Sequence, residues 1–394
     1  MEAVHTATDN DESIKVPKIW LDADPSGFVW TGLDCDDDLA ILTALSLEAQ
    51  GMIDVEGISV CGGNAPLRHT WKDTQVLLQH AGSSLVPHKG YGWKSMQVSR
   101  RWLKWLNRIQ PDIDDSNDAV DAIIKASHDV ENLIIVTLGP PANFAKALEQ
   151  DPTLADRIGH VYLMGGELTQ QRLCLNFASD RAAARTIVDA NVPTTMIPIQ
   201  LCAQVVMDQL FVDQFAAEYC HNNNNNQRPA AAACGILPKM HQQVAAMPKL
   251  VNKAVAKRFP SDGRWSPSVN LDKGFIPWDI VAILAISHPD IFDEWEYHTV
   301  QFPTCGPEGR EPCDNTMTVG APPPATPFQH QSGIVRIPHL VRNETQVLGL
   351  MKDFLGHTPA QGTTPNMMLG FMGPVFGGIV AGAALALWKI KLFF

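Results

Sequence analysis

The chain has 394 residues, of which 45% are hydrophobic and 18% charged, a balance that describes folded globular structure and excludes a disordered polymer. The formal net charge of −12 argues against a nucleic-acid partner, which needs basic surface. The eight cysteines (Cys35, Cys61, Cys174, Cys202, Cys220, Cys234, Cys305 and Cys313) form neither a CxxC pair nor a Cys/His cluster, so they read as free thiols of a reducing compartment.

Residues 1–16 are polar and acidic, lack the apolar core of a signal peptide and read as a disordered leader. Lys18 to Asp24 reads as a first strand and Asp37 to Gln50 as a helix. Between and around them six carboxylates (Asp22, Asp24, Asp34, Asp36, Asp37 and Asp38) fall within seventeen residues. Like charges this close repel, and a divalent cation relieves that repulsion; all-oxygen ligands suit Ca²⁺ or Mg²⁺. The same residues also suit a solvated acidic turn with an Asp helix cap.

Ile53 to Cys61 reads as a second strand ending in Gly62-Gly63-Asn64, and Thr70 to His80 as a helix. Leu85 to Gly90 is a short strand leading to Tyr91-Gly92-Trp93. Ala119 to His128 is helical in pattern, and Asn132 to Thr137 is a buried strand followed by Leu138-Gly139-Pro140-Pro141-Ala142-Asn143. His160 to Met164 is a strand ending in Gly165-Gly166, Asp180 to Asp189 a helix, and Thr194 to Ile199 a strand. Short apolar strands alternating with helices predict an α/β fold with a mostly parallel central sheet flanked by helices. In such sheets ligands bind beyond the carboxyl ends of the strands, where all these polar and glycine-rich stretches converge.

From Gln204 to Pro277 the pattern is helical, interrupted by a low-complexity insertion within 221–234. Thr304 to Gln331 carries little pattern, Gly333 to Leu340 reads as a late strand, and Glu344 to Leu355 as a helix. After a polar linker at 357–366, Met367 to Trp388 has no charged residue. Its 22 residues, at about 1.5 Å rise each, can cross the ~30 Å hydrocarbon core. This predicts a C-terminal hydrophobic helix that anchors the chain to a membrane, with the globular part (17–356) cytosolic; a buried C-terminal helix is the alternative.

Asp22-Ala23-Asp24-Pro25 with Asp36-Asp37, Gly63-Asn64, Leu138 to Asn143, Leu163-Met164-Gly165-Gly166 and Trp278-Asp279 together resemble the motifs of the inosine–uridine-type nucleoside hydrolases, in the family's order, from about Lys18 to Leu355. The resemblance implies a Rossmann-like fold and a Ca²⁺ on the floor of the pocket. The matching ligands are Asp24, Asp37, the Leu138 backbone carbonyl and Asp279. It implies Asp24 as general base on the attacking water, with Asp36, Asn64 and Asn176 on the ribose hydroxyls. Met164 would line the sugar pocket, and Asp22 would play a supporting role. Trp278, where many members carry His, resembles the purine-specific branch, in which indoles sandwich the leaving base; Trp93 is the candidate second ring. Family members often form homo-oligomers. The implied reaction is hydrolysis of the N-glycosidic bond of ribonucleosides to ribose and free base.

Two departures stand out. Eleven residues, Pro25 to Cys35, separate Asp24 from the Asp pair where the family has three. The pair fits either Asp36-Asp37 or Asp37-Asp38; the first keeps Leu39 to Leu42 in step with the family's helix. After Gly166 the loop is short, and Cys174 stands where the family has a ribose-binding Glu, unless Glu167 supplies that carboxylate. A catalytically impaired, membrane-anchored nucleoside-binding protein is therefore the alternative function. A phosphatase of the haloacid-dehalogenase type would use Asp22 and Asp24 but leaves Asp36-Asp37 and Trp278-Asp279 without a role.

Overall fold

The chain's strands are apolar runs because both faces of the sheet are covered. In the computed structural model, which describes residues 15–27, 35–92, 117–168, 174–220, 231–250, 274–302, 317–321 and 332–357, strand β1 (Lys18–Ala23) sends Ile19, Leu21 and Ala23 into one core cluster and Trp20 into the other. This is the two-residue alternation of a pleated strand with no wet face.

Helix α1 (Asp36–Ala49) follows, then β2 (Asp54–Val60), α2 (Leu67–His80), β3 (Pro87–Lys89), α3 (Ala119–Asp129), β4 (Leu133–Thr137), α4 (Ala142–Gln150), β5 (Ile158–Met164), α5 (Leu175–Ser179), α6 (Arg181–Asp189) and β6 (Thr194–Ile197). Beyond them lie α7 (Ile199–Cys202), β7 (Met207–Asp208), α8 (Gln209–Phe215), α9 (Ala231–Leu250), β8 (Gly274–Phe275), α10 (Trp278–Ser287), β9 (Phe292–Asp293), β10 (Glu296–Gln301), β11 (Thr318–Val319), β12 (Ile334–Ile337), β13 (Leu340–Val341) and α11 (Glu344–Gly356).

The main sheet has nine strands in the order β11-β10-β12-β6-β5-β4-β1-β2-β3. Every pairing from β3 to β12 is parallel, whereas β10 runs antiparallel to both β12 and β11. The predicted mostly parallel sheet is thus present, extended at one edge by antiparallel strands. The chain winds from β1 to β2 and β3 on one side and continues from β4 outward on the other. The order therefore reverses between β1 and β4, and a crevice opens beyond their carboxyl ends. The Asp22 carbonyl accepts from Leu138 N at 2.8 Å and Gly139 N at 3.3 Å, which joins the two strand exits there.

Helices α1 and α10 pack on each other beneath this crevice. Residues 36–47 of α1 and 279–285 of α10 are all buried. Each helix is enclosed on all sides, which explains why neither shows a polar face.

Three expectations need correction. The stretch from Gln204 to Pro277, read as helical, also contains β7 and β8, which pair antiparallel. Strand β10 was not foreseen, because only His298 and Val300 of its six residues are buried and the alternation is short. Its partner β11 falls in the stretch judged patternless. Finally, Cys220 and Cys234 are joined in a disulfide, against the expectation of free thiols throughout, while Cys35, Cys61, Cys174 and Cys202 are buried thiols. The bridge closes the base of the Asn-rich insertion.

Residues 1–14 of the leader, the Asn-rich residues 221–230 and the tail 358–394 lie outside the described residues. Among the described residues no helix is long and apolar enough to cross a membrane. The expectation of a C-terminal hydrophobic anchor at 367–388 therefore stands on the sequence alone.

The contact between α1 and the core predicts a specific cost. Leu42 is fully buried in the larger cluster, so Leu42→Ala is expected to lower stability by about 2–5 kcal/mol through lost burial and the cavity left behind. Equilibrium urea denaturation, read as the shift of midpoint at constant slope, measures it.

Candidate active site

The crevice is lined first by the end of β1. Asp22 is 1% exposed and shares the Trp20 side of the strand. Its Oδ1 accepts from Ser59 Oγ at 2.8 Å and Asn143 Nδ2 at 2.7 Å. Burial pushes its carboxyl up to about 7, and the two donors pull it part of the way back. Asn143, fully buried at the start of α4, also accepts from Tyr91 N at 2.8 Å and so ties three loops together.

Asp24 is 2% exposed and wedged between the exits of β2 and β4. A Cβ on Gly63 or on Gly139 would land on its carboxylate oxygens, so the close backbone approach on both sides requires glycine. Asn64 N donates to Asp24 Oδ2, and Asp24 N donates to Asp37 Oδ1 at 2.9 Å. Asp37 Oδ2 accepts from Asn64 Nδ2 at 3.0 Å. Asp37 is thus the knot that holds the exits of β1 and β2 to the start of α1.

The helix start supplies the rest. Carboxylate oxygens of Asp36, Asp37 and Asp279 all lie within 4.8 Å of one another, and all three residues are buried. Asp279 comes from the first turn of α10, far along the chain but adjacent in space to the first turn of α1. Asp38 points elsewhere: its Oδ2 accepts from Ser26 N at 3.1 Å and Gly27 N at 2.9 Å. Successive helical residues are about 100° apart, so three consecutive Asp cannot face one point. The geometry therefore singles out Asp36-Asp37 as the pair that meets Asp279. Asp38 is also fully buried, not a solvated first-turn charge. Burial, and then the neighbouring Asp73 carboxylate, holds it well above the ordinary range.

The far wall is built from β4, β5 and α5. Asn176 Nδ2 donates to the Leu138 carbonyl and sits 3.4 Å from both the backbone oxygen and the sulfur of Met164. Leu138, Met164 and Asn176 are therefore mutual neighbours. Cys174, which the resemblance aligns with the family's Glu, is 7% exposed, and its sulfur accepts from Gly166 N at 3.1 Å. Glu167 is fully buried, with Oε1 accepting from Gln200 Nε2 at 2.5 Å. Trp278 is half-buried at the first position of α10 and packs against the larger core cluster. Trp93 lies outside the described residues. His241 is solvent-facing and bound to Gln209 through Nδ1 at 2.9 Å.

Three polar residues that support the site escaped the sequence analysis: Asp73, Gln200 and Gln243. Asp73 had a signal, since Leu67, Thr70, Asp73, Thr74 and Leu77 form the buried stripe of α2 at helical spacing. A carboxylate on such a stripe needs a partner. Gln200, on the four-residue helix α7, and Gln243, whose Oε1 accepts from Cys35 Sγ at 3.1 Å, carried no comparable signal.

All the donors gathered at Asp36, Asp37 and Asp279 are hard oxygens, and three buried like charges this close call for a cation. The arrangement, at the switch point of an open α/β sheet, is that of a small-ligand site with a place for a divalent ion. The sequence profile described as "Inosine-uridine preferring nucleoside hydrolase" matches residues 19–336, and the chain belongs to that family of N-glycosyl hydrolases. The inosine-uridine preferring nucleoside hydrolase of Crithidia fasciculata is 26% identical over 211 residues, covering 48% of this chain and 62% of its own length. The pyrimidine-specific ribonucleoside hydrolase RihB of Escherichia coli O1:K1 / APEC is 24% identical over 206 residues, covering 48% of this chain and 61% of its own. The match thus spans about three-fifths of these relatives. Among solved structures, the plant nucleoside hydrolase PpNRh1 shares the fold with a TM-score of 0.62 at 18% identity, covering 87% of this chain and 99% of that one. The purine-preferring ribonucleoside hydrolase from Gardnerella vaginalis does so with a TM-score of 0.62 at 18% identity, covering 86% and 99%.

Asn143→Ala leaves the Asp22 carboxyl and the Tyr91 amide each short of a buried partner. The substitution is expected to cost about 1–3 kcal/mol, measured as the drop in urea midpoint against the wild-type chain.

Proposed function

We propose that this chain is a Ca²⁺-dependent nucleoside N-ribohydrolase that acts on purine nucleosides. The observation that carries the reading is the convergence of Asp36, Asp37 and Asp279 in the β1/β4 crevice, with Asp24 and Asn64 fastened to Asp37. Asp37 and Asp279 would hold the ion, joined by the Asp24 carboxylate and the Leu138 carbonyl. Six to eight flexible oxygen ligands, including main-chain carbonyls, suit Ca²⁺ better than Mg²⁺. When bound, the ion would supply a Lewis acid that makes a water easier to deprotonate.

The protein's own groups do the rest. Asp24, fixed between Gly63 and Gly139, takes the proton of the attacking water. Asp36, Asn64 and Asn176 hold the ribose hydroxyls and keep the ring turned towards its oxocarbenium-like transition state. Met164 packs against the sugar. Trp278, with Trp93, flanks the purine and favours its protonation as it leaves. The relatives named above differ in base preference, so the purine assignment rests on the Trp278-Asp279 pair. The test is release of hypoxanthine from inosine. Asp24→Ala is expected to lower the rate by about 10²–10⁴. Full turnover by that variant overturns the assignment of the base. Chelation with EGTA is expected to abolish turnover and lower the melting temperature, both restored by Ca²⁺ and not by Mg²⁺ at the same concentration.

One observation favours a second reading. The family's ribose-binding Glu is replaced by the Cys174 thiol, which is turned towards Gly166 N, and the neighbouring Glu167 is engaged by Gln200. Loss of one charged hydrogen bond to ribose, worth about 1.5–3 kcal/mol, would slow turnover by roughly one to two orders of magnitude. In the limit the chain binds nucleosides without cleaving them. Calorimetry that detects inosine binding while no hypoxanthine forms over hours supports this second reading against the first.

A further inference from the structure

Across the sheet from the acidic crevice, three side chains meet that the hydrolase site does not use. Glu296 and His298 stand two residues apart on β10, and so on one face of the sheet. His339 comes from the link between β12 and β13. Glu296 pairs with Ile337 in the antiparallel register, which sets the exit of β12 beside it. His298 Nε2 lies 3.0 Å from His339 Nε2 and 3.2 Å from Glu296 Oε2, and His339 Nε2 lies 3.7 Å from the same oxygen.

We propose that Glu296, His298 and His339 form a second metal site, built for Zn²⁺ or a similar transition-metal dication. Tetrahedral Zn²⁺ holds imidazole nitrogens at about 2.0–2.1 Å and carboxylate oxygens at about 2.0–2.2 Å, so its ligand atoms lie about 3.3–3.5 Å apart. The three observed separations bracket that edge length. The imidazole rings stand at 82° to each other, with both Nε2 atoms close to the same Glu296 oxygen. Both His residues are buried, while the Glu296 side chain is 49% exposed, which leaves an entry and a fourth position on the solvent side.

The surroundings are those of a ligating histidine. His298 Nδ1 faces the Gly320 carbonyl at 3.1 Å. A carbonyl offers only lone pairs, so Nδ1 carries a proton, and Nε2 is the nitrogen turned to the cluster, the orientation a metal ligand needs. Nε2 lies 3.2 Å from a carboxylate oxygen of Glu296. Two acceptors in contact repel unless a positive centre lies between them. His339 is held independently: its backbone N donates to the Asp293 carbonyl at 3.3 Å, and its carbonyl accepts from Gln204 Nε2 at 2.7 Å.

Two imidazoles and one carboxylate suit Zn²⁺ or Co²⁺, whereas Ca²⁺ and Mg²⁺ take oxygens. The two sites therefore differ in chemistry as well as in place. Strands β6, β5 and β4 separate β12 from β1, roughly 19 Å at about 4.8 Å per strand. A metal here would clasp the antiparallel edge strand to the exit of β12.

The test uses the full chain with Ca²⁺ in excess. One equivalent of Co²⁺ is expected to give a visible d–d spectrum that Zn²⁺ displaces, and Zn²⁺ is expected to raise the melting temperature. His298→Gln and His339→Gln should lose both effects, and Asp37→Asn should retain both. Glu296→Gln, at a half-exposed side chain that folding tolerates, should weaken Co²⁺ binding at least about tenfold; it decides the matter if the histidine variants fail to fold. Absence of a spectrum in the wild type, or a spectrum that Glu296→Gln leaves unchanged or that Asp37→Asn abolishes, overturns the proposal. Stability that follows pH but ignores Zn²⁺ also overturns it, showing that a shared proton holds the cluster.

Discussion

Burying several carboxylates within a few ångströms of one another is the constraint around which this molecule is built. Charge repulsion and lost hydration both oppose it. The structure meets that opposition with donors: Asn143 and Ser59 on Asp22, Asn64 on Asp24 and Asp37, and the Ser26 and Gly27 amides on Asp38. Asp36, Asp37 and Asp279 bring carboxylate oxygens within 4.8 Å of one another, a grouping of hard oxygens that suits a divalent ion. The same arrangement that makes the fold costly is one that a hard cation would relieve.

The architecture explains why the cluster sits where it does. A parallel sheet needs its winding to reverse somewhere, and the reversal between β1 and β4 leaves a crevice that no crossover helix fills. The two most enclosed helices, α1 and α10, both begin at that crevice, so Asp36, Asp37 and Asp279 of their first turns meet there. Negative side chains at helix N-termini are electrostatically favoured, which offsets part of the cost of their burial. Hydrolysis of an N-glycosidic bond needs a placed water, a base and a clamp on the sugar. In the proposed reaction the floor would provide the first two, while on the α5 side the thiol of Cys174 would stand where the clamp calls for a carboxylate.

Much of this was legible in the residues. Strand β1, helix α1 and the strands at Leu133–Thr137 and Ile158–Met164 showed themselves through apolar runs that stop at polar or glycine-rich ends. The motif set around Asp24, Asp37 and Asp279 identified the family. Other features were not legible, for physical reasons. Strand β10 buries only two of its six residues, so its alternation is faint, and the Cys220–Cys234 bridge has no marker in its spacing. Asp73 lay on a buried helical stripe and could have been flagged; Gln200 and Gln243 are ordinary polar residues whose roles exist only through their neighbours.

The sequence by itself determined the mostly parallel α/β class and the family, and brought Asp22, Asp24, Asp36, Asp37 and Asp279 forward as candidates, because hydrophobic period and short motifs are local properties of the chain. Only the tertiary structure decided which two of Asp36, Asp37 and Asp38 face Asp279, since that depends on where α10 crosses α1. It also decided that Glu167 is held by Gln200 and that Asp38 is buried against Asp73. The meeting of Glu296, His298 and His339 likewise depends on strand pairing: residues 41 apart in the chain touch only because β10 and β12 are antiparallel neighbours. Contacts between distant segments are set by packing, and no local pattern encodes them.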